Sequence, residues 1–158
     1  MQSKKNLSQN VIGHWSLVIL GFVFFFLTSC KQDVKLSQQD AQGLSEDFVT
    51  FYNKFHNDKA YQLQHIQFPL EGLPSGNLSD SVKNVSEFRW TSDKWVMHRL
   101  AQFNDTLYIR EFEQPMPFMV NEIIIEKKSK YGIMRRFLKR DNEWMLIFYS
   151  DMNRLENK

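Results

Sequence analysis

The sequence of 158 residues lacks the cysteines that an intramolecular disulfide needs, because Cys30 is its only one. It also lacks a surplus of charge outside its first residues. The formal net charge of +2 comes from Lys4 and Lys5, and the chain from Cys30 onward carries 18 basic and 18 acidic residues. Nucleic-acid binding usually needs a basic surplus, so no nucleic-acid partner is predicted.

Motifs for bound metals and for common catalytic sites are also missing. There is no His-x-x-x-His pair, no second cysteine and no dense acidic loop, so we predict no metal site and no cofactor. A Gly-x-Ser-x-Gly nucleophile turn and a glycine-rich phosphate loop are absent as well.

Aromatic residues, by contrast, are abundant. They form 15% of the chain and include 14 Phe and four Trp. This composition excludes a disordered polar chain and predicts either a thick aromatic core or a cavity lined by aromatic side chains.

The amino terminus has the pattern of a signal peptide. Lys4 and Lys5 precede an apolar run over residues 15–27, "WSLVILGFVFFFL". This run is shorter than the roughly 20 residues that a membrane-spanning helix needs. An uncleaved membrane anchor is the alternative interpretation.

The end of the apolar run favours cleavage. Leu27, Thr28, Ser29 and Cys30 resemble the bacterial lipobox, a branched residue and two small residues before a cysteine. The resemblance implies a lipid on the Cys30 sulfur and cleavage before this residue, so that acyl chains hold the protein at a membrane. An acidic residue directly after the cysteine would favour retention in the inner membrane, but Lys31 stands there. We therefore expect the protein at the periplasmic face of the outer membrane. The acidic surface-export signal in "KQDVK" is weak.

These patterns divide the chain into four parts. We predict a signal peptide over residues 1–29, a lipidated tether over 30–44, one domain over 45–152 and a tail over 153–158. The tether is polar and has no clear periodicity.

The domain begins with two predicted helices. Ser45 is a predicted N-cap, and Glu46 and Asp47 suit the first turn of a helix. The helix then places four rings on one face at helical spacing: Phe48, Phe51, Tyr52 and Phe55. Asp58 is the predicted cap of a second helix that ends near Gln64, and a short strand with Ile66 and Phe68 should end at Pro69.

The carboxy-terminal third predicts four strands, over residues 106–113, 118–128, 131–140 and 143–150. Alternation in the last strand places Trp144, Leu146 and Phe148 on one face, and the opposite face is apolar too. Such a strand belongs in the centre of a sheet. Helices followed by antiparallel strands predict an α+β fold, with the helices on a curved sheet.

Parts of the chain resemble a family of small Bacteroidota lipoproteins of unknown function. The resemblance covers most of residues 45–151, and its clearest element is Gln62, Ile66, Phe68, Pro69 and Leu70 in "Q-x-x-x-I-x-F-P-L". It implies a cone-shaped fold similar to that of nuclear transport factor 2. It implies no activity, because the family is uncharacterised and the wider fold supports many functions.

Some aromatic side chains are candidates for lining a pocket. Core packing is their ordinary role, but a cone with a wide mouth could leave some of them open to an apolar or carbohydrate ligand. The candidates are Phe51, Tyr52, Phe55, Trp95, Trp144 and Phe148. We therefore expect a binding module for a small apolar ligand or another envelope protein.

An enzyme is the alternative, a lyase or isomerase with a titratable residue in an apolar cone. The candidates are His56, His65, His98, Tyr108, Asp47 and Asp105, and none of their spacings demands a site. We expect the histidines to be exposed or simply hydrogen-bonded.

Two further surface features are predicted. The basic residues from Lys127 to Arg140, Arg135 among them, fit the solvated side of a hairpin, with anionic headgroup binding as the alternative. Ser81 and Thr106 lie in three-residue stretches that resemble the O-glycosylation signal of Bacteroidota envelope proteins.

Overall fold

The computed structural model describes residues 33–76 and 87–155. The predictions on Leu27, Thr28, Ser29, Cys30 and Ser81 lie outside the described residues. Among the helices of these two ranges, none has the length and apolar character needed to cross a membrane.

Two helices open the fold where the sequence predicts them. Helix α1 spans Glu46–Asn57, and helix α2 spans Lys59–Gln64. The Asp58 carboxylate caps α2 by accepting a hydrogen bond from the Tyr61 backbone N–H at 3.0 Å. The four predicted rings of α1 are all buried, as an apolar stripe at helical spacing requires.

Six strands form one sheet in the order β2-β1-β6-β5-β4-β3. Their bounds are Ile66–Leu73 for β1, Arg89–Trp90 for β2, Tyr108–Met116 for β3, Met119–Glu126 for β4, Tyr131–Arg140 for β5 and Glu143–Arg154 for β6. Strands β1 and β6 pair in parallel and all other pairs are antiparallel. The predicted α+β fold, with helices packed on a curved and mainly antiparallel sheet, is confirmed.

Strand β6 lies inside the sheet between β1 and β5, as its two apolar faces predict. Two predicted ends are wrong. Strand β1 continues through Pro69 to Leu73, and β6 continues to Arg154, beyond the predicted strand end at residue 150. The side chain of Asn153 holds this extension by donating a hydrogen bond to the Pro74 carbonyl at 2.8 Å.

A bulge in β6 changes which side chains face α1. Phe137 pairs with Leu146, but the preceding Arg136 pairs with Phe148, which leaves Ile147 as an extra residue. An extra residue reverses the alternation of faces beyond it. Tyr149 is therefore buried on the inner face, whereas Phe148 is half-buried beside Arg136.

The segment before α1 is packed against the domain. Leu36 is buried, and its backbone N–H donates to the Asn53 side chain at 2.7 Å. Val34 exchanges two hydrogen bonds with the Asn57 side chain. Within the predicted lipidated tether over residues 30–44, these contacts hold Val34 and Leu36 against α1.

Gly72 permits a close approach between β1 and β6. A Cβ atom at this position would lie 1.8 Å from the Tyr149 carbonyl oxygen. The same oxygen accepts a hydrogen bond from Trp90 Nε1 at 2.9 Å. The missing side chain thus lets Trp90 of β2 reach across β1 to β6.

Candidate functional site

Aromatic rings fill the space between α1 and the sheet. Phe48 is fully buried, with its ring centroid 4.9 Å from that of Trp144 and 5.5 Å from that of Phe137. Phe55 meets Phe137 edge to face at 5.6 Å. This spacing is that of a packed aromatic core. The rings therefore fill the interior between α1 and the sheet, which the sequence predicts as either a core or a cavity.

The six predicted pocket residues are separated in the structure. Tyr52 and Phe55 are fully buried in the interior, and Phe148 lies on the other face of the sheet. Phe51 and Trp144 are buried but reach the floor of a charged surface groove beside α1, while Trp95 lines a different groove.

A buried ionic cluster lies within this aromatic core. The Glu122 carboxylate accepts hydrogen bonds from Arg135 Nη1 at 2.8 Å, from Arg110 Nε at 3.2 Å and from the Tyr52 hydroxyl. Glu122 and Arg135 are 0% and 1% exposed. Asp40 approaches Arg110 Nη1 at 3.7 Å from the outer side. The cluster thus joins strands β3, β4 and β5 to α1 and to the segment before it.

The cluster fixes the charge of its members. Burial alone would raise the pKa of Glu122, but Arg135 and Arg110 hold it below its ordinary value. Burial, reinforced by the Glu122 charge, raises the pKa of Tyr52. At neutral pH the carboxylate is therefore ionised and the phenol is neutral.

Two buried histidines extend the cluster. His98 Nδ1 lies 3.2 Å from Arg135 Nε, and because a guanidinium can only donate, Nδ1 accepts and the His98 proton is on Nε2. His56 Nδ1 lies 2.9 Å from the His98 carbonyl oxygen, so this nitrogen carries the proton of His56. Burial, reinforced by Arg135, lowers the pKa of His56 to about 3 and that of His98 to about 2. Both imidazoles are neutral.

The side-chain amide of Gln62 holds the loop that carries His98. Its nitrogen donates to the carbonyls of Phe55 and His98 at 2.9 Å, and its oxygen accepts from Trp95 Nε1 at 3.0 Å and from the His98 N–H at 2.9 Å. Both amide hydrogens and both oxygen lone pairs are used. Gln62 therefore fixes the loop over residues 95–98 against the two helices.

A groove of about 400 Å³ opens beside this loop. Its walls are aromatic, from Trp90, Trp95, Phe103 and Tyr149, and His98 completes them. Lys94, Val96, Gln102 and Asp151 lie around it. Its volume is within the range of small-molecule sites, and its lining combines apolar surface with a few polar groups.

The remaining candidates lie elsewhere. His65 stacks on Tyr61 with ring centroids 3.7 Å apart, and its Nδ1 bonds the Tyr61 carbonyl. Asp47 accepts from Lys139 Nζ at 2.7 Å and from Trp144 Nε1 at 2.9 Å, and the first of these bonds lowers its pKa most. Tyr108 packs against Phe103, and Asp105 and Thr106 are exposed before β3. The described ranges contain no group of three or more His, Cys, Asp or Glu side chains placed to hold a metal ion.

Glu122 and Arg135 are not among the predicted site residues, although their neighbours in the sequence carry a signal. Glu122 stands two residues from Val120 and from Ile124, and Arg135 stands two residues from Ile133 and from Phe137. All four apolar neighbours are buried on the inner face. Because strand faces alternate with a period of two, each charged residue must point inward with them. The interpretation of Arg135 as part of a solvated hairpin is therefore wrong.

Comparisons with known proteins identify the fold. No family model matches the sequence, and no curated protein matches it. A crystal structure of a cystatin-like protein from Bacteroides caccae is similar to this chain, with a TM-score of 0.50 and 20% identity, over 65% of this chain and 74% of that one. At this identity the similarity concerns the fold alone.

Two further Bacteroides structures have lower TM-scores. A protein from Bacteroides uniformis, solved by NMR, has a TM-score of 0.48 and 23% identity over 66% of this chain and 76% of that one. An NTF2-like protein from Bacteroides fragilis has a TM-score of 0.40 and 13% identity over 75% of this chain and 49% of that one. The chain thus has an α+β fold similar to that of a cystatin-like Bacteroides protein, in agreement with the fold that the family resemblance implies.

Proposed function

We propose that this chain is a lipid-anchored binding module of the bacterial cell envelope, held at the periplasmic face of the outer membrane by acyl groups on Cys30. Its ligand is a small molecule with an apolar body, bound in the groove beside the loop over residues 95–98. An envelope protein presenting an apolar side chain to the same groove is the second kind of partner. Anchoring raises the effective concentration of the domain at the membrane surface.

The observation that carries the binding function is the aromatic groove itself. Four rings from three separate parts of the chain meet there: Trp90 in β2, Trp95 and Phe103 in the loop that follows, and Tyr149 in β6. Gln62 holds the loop in place through three hydrogen bonds to Trp95 and His98, so this part of the wall is preorganised. The charged groove beside α1 is less suitable, because Lys139 and Asp47 on its surface already pair with each other.

The buried ionic cluster does not favour the alternative of a lyase or isomerase. A general base needs a pKa near the working pH and access to substrate. Glu122 is fully buried, its pKa is lowered, and it already accepts from two guanidinium groups and the Tyr52 hydroxyl. Its surroundings suit a permanent charge rather than proton transfer.

Ligand binding is tested with the neutral fluorophore N-phenyl-1-naphthylamine. We expect its emission to rise on binding and Val96→Trp to abolish this rise, because Val96 is 71% exposed at the groove and a larger ring there occupies it. Leu107→Trp, which adds the same ring at an exposed position outside the groove, is the control. Equal probe binding by both variants would place the site elsewhere.

Anchoring is tested by detergent-phase partitioning of the full chain expressed in a bacterial host. We expect the unmodified protein in the detergent phase with a mass that lacks residues 1–29 and includes acyl groups on Cys30. Cys30→Ala should carry no acyl group, whereas Ser29→Ala keeps a small residue before the cysteine and should still be acylated. An intact Met1 start with an unmodified thiol at Cys30 in the unmodified protein would rule out lipidation as the anchor.

A further inference from the structure

The groove borders the buried guanidinium of Arg135, which has one nitrogen without a hydrogen-bond partner. Arg135 donates from Nε to His98 and from Nη1 to Glu122, but its Nη2 is buried without a partner among the described residues. An unpartnered buried donor is destabilising, so it calls for a structural reason.

The guanidinium of Arg135 lies directly against the groove walls. Its central carbon is 5.7 Å from the ring centroid of Phe103 and 6.0 Å from that of Tyr149, and its Nε is bonded to His98. All three neighbours line the groove. Phe103 is half-buried, belongs to the loop before β3 and lines the groove, and its ring is in contact with the guanidinium.

The charge balance of the interior favours an anion on this side. Arg110 and Arg135 share the carboxylate of Glu122, the one buried carboxylate within residues 33–76 and 87–155, and the other carboxylate of the cluster, Asp40, pairs with Arg110. His56, His98 and Tyr52 add no charge, as their shifted pKa values require. At the rim, Lys94 and Asp151 carry opposite charges, and Asp151 is occupied by the Tyr149 hydroxyl.

His98 carries a second N–H donor beside Arg135. Because its Nδ1 accepts from Arg135, its Nε2 carries a hydrogen, and His98 is itself a groove-lining residue. A carboxylate has two oxygen atoms and is recognised well by a guanidinium together with a neighbouring N–H donor.

We propose that the ligand of the groove is a small organic acid, whose carboxylate bonds Arg135 Nη2 and His98 Nε2 while its apolar body lies among the rings of Trp95, Phe103 and Tyr149. This inference rests on the proposed binding function and names the chemical class of the ligand. The acid reaches Arg135 by displacing the Phe103 ring.

The test compares 1-naphthylacetate with 1-naphthylacetamide, which share the same ring body and differ in the charged group. Each compound is titrated into the intact protein by calorimetry and in displacement of N-phenyl-1-naphthylamine. We expect the acid to bind at least about tenfold more tightly than the amide, as a charge-assisted bond requires. Equal affinities, with Val96→Trp blocking both compounds, would overturn the acid site and leave the binding groove standing. Absence of binding by all three compounds would overturn both.

Matched variants identify which positive charge gives the preference for the acid. Arg135→Gln should remove the preference for the acid, whereas Arg136→Gln, its neighbour directed to the other face of the sheet, should keep it. Loss of the preference in Lys94→Gln together with its retention in Arg135→Gln would assign the effect to the rim and overturn the proposal. Near-ultraviolet circular dichroism confirms that each variant is folded. If Arg135→Gln does not fold, the acid and amide affinities of the unmodified protein still decide the question.

Discussion

The Glu122 carboxylate accepts a hydrogen bond from Arg135 Nη1 at 2.8 Å, and neither side chain contacts solvent appreciably. The two residues come from neighbouring strands and are paired across β4 and β5. A buried pair of this kind stabilises little relative to apolar residues, but removal of one member leaves an uncompensated charge. The interior therefore depends on both residues being present together.

Loss of Glu122 should be more costly than loss of the whole pair. We expect Glu122→Gln to lower the free energy of unfolding by about 3–5 kcal/mol, because Arg135 loses its counter-ion and Arg110 keeps only the more distant Asp40. Addition of Arg135→Met should recover part of this loss. Urea unfolding of the two single variants and the double variant measures the coupling, and strictly additive effects would contradict a direct pair.

Acid should destabilise the protein through its buried histidines. The folded-state pKa values of about 3 for His56 and about 2 for His98 lie below the ordinary 6.5, so the unfolded chain binds more protons as the pH falls below that value. Stability is therefore complete above about pH 6.5 and is lost toward about pH 3, with a limiting slope of about 1.4 kcal/mol per pH unit for each histidine. The facing groups are Arg135, Arg110 and Glu122, and the lowered pKa of Glu122 adds to the loss in the carboxyl range.

Urea unfolding between about pH 7 and pH 5 measures this slope. In His56→Gln the amide can still donate to the His98 carbonyl, so we expect folding to survive and the slope to fall by up to about half. An unchanged slope would show that His56 does not provide the acid sensitivity.

Gln62 should control the order of the groove loop. We expect Gln62→Leu to lower the free energy of unfolding by about 2–3 kcal/mol, because Trp95 Nε1 and the His98 N–H lose their acceptor. Hydrogen exchange at residues 95–98 should accelerate. Gln64→Leu, an exposed position on the same helix, is the control and should leave both measurements nearly unchanged.

The bulge in β6 gives the adjacent residues Phe148 and Tyr149 different degrees of burial. Tyr149 packs inside against Trp90 and Trp95, whereas Phe148 lies outside beside Arg136. We expect Tyr149→Ala to cost about 3–5 kcal/mol and Phe148→Ala clearly less. Thermal unfolding of the two variants compares these costs. A larger loss of stability in Phe148→Ala than in Tyr149→Ala would contradict the bulge and support the uninterrupted alternation that the sequence predicts.

Much of the secondary structure could be predicted because its signals are local. The rings of α1 repeat within eight residues, the Asp58 cap lies next to α2, and β6 carries apolar residues on both faces. The strand ends and the position of Phe148 could not be predicted, since pairing with neighbouring strands sets them. Ile147 is an extra residue only in relation to β5.

Fewer residues of the candidate site than of the secondary structure could be predicted from the sequence. Trp95 was identified as a pocket residue, but Phe103 and Tyr149 were not, and no local pattern joins Trp90 to Tyr149 across 59 positions. Glu122 and Arg135 could have been found from the buried apolar residues on either side of them. Their partnership with Tyr52, 70 positions from Glu122, could not.

The sequence by itself determined the helices, the four carboxy-terminal strands, the apolar faces and the lipobox-like stretch before Cys30, because these depend on residues within a few positions of one another. Only the tertiary structure decided that the rings close the cone, that a carboxylate and two guanidinium groups share its interior, and that an aromatic groove opens beside His98. These features arise where distant strands and loops meet, and a buried charge is tolerated only when that meeting supplies its partner.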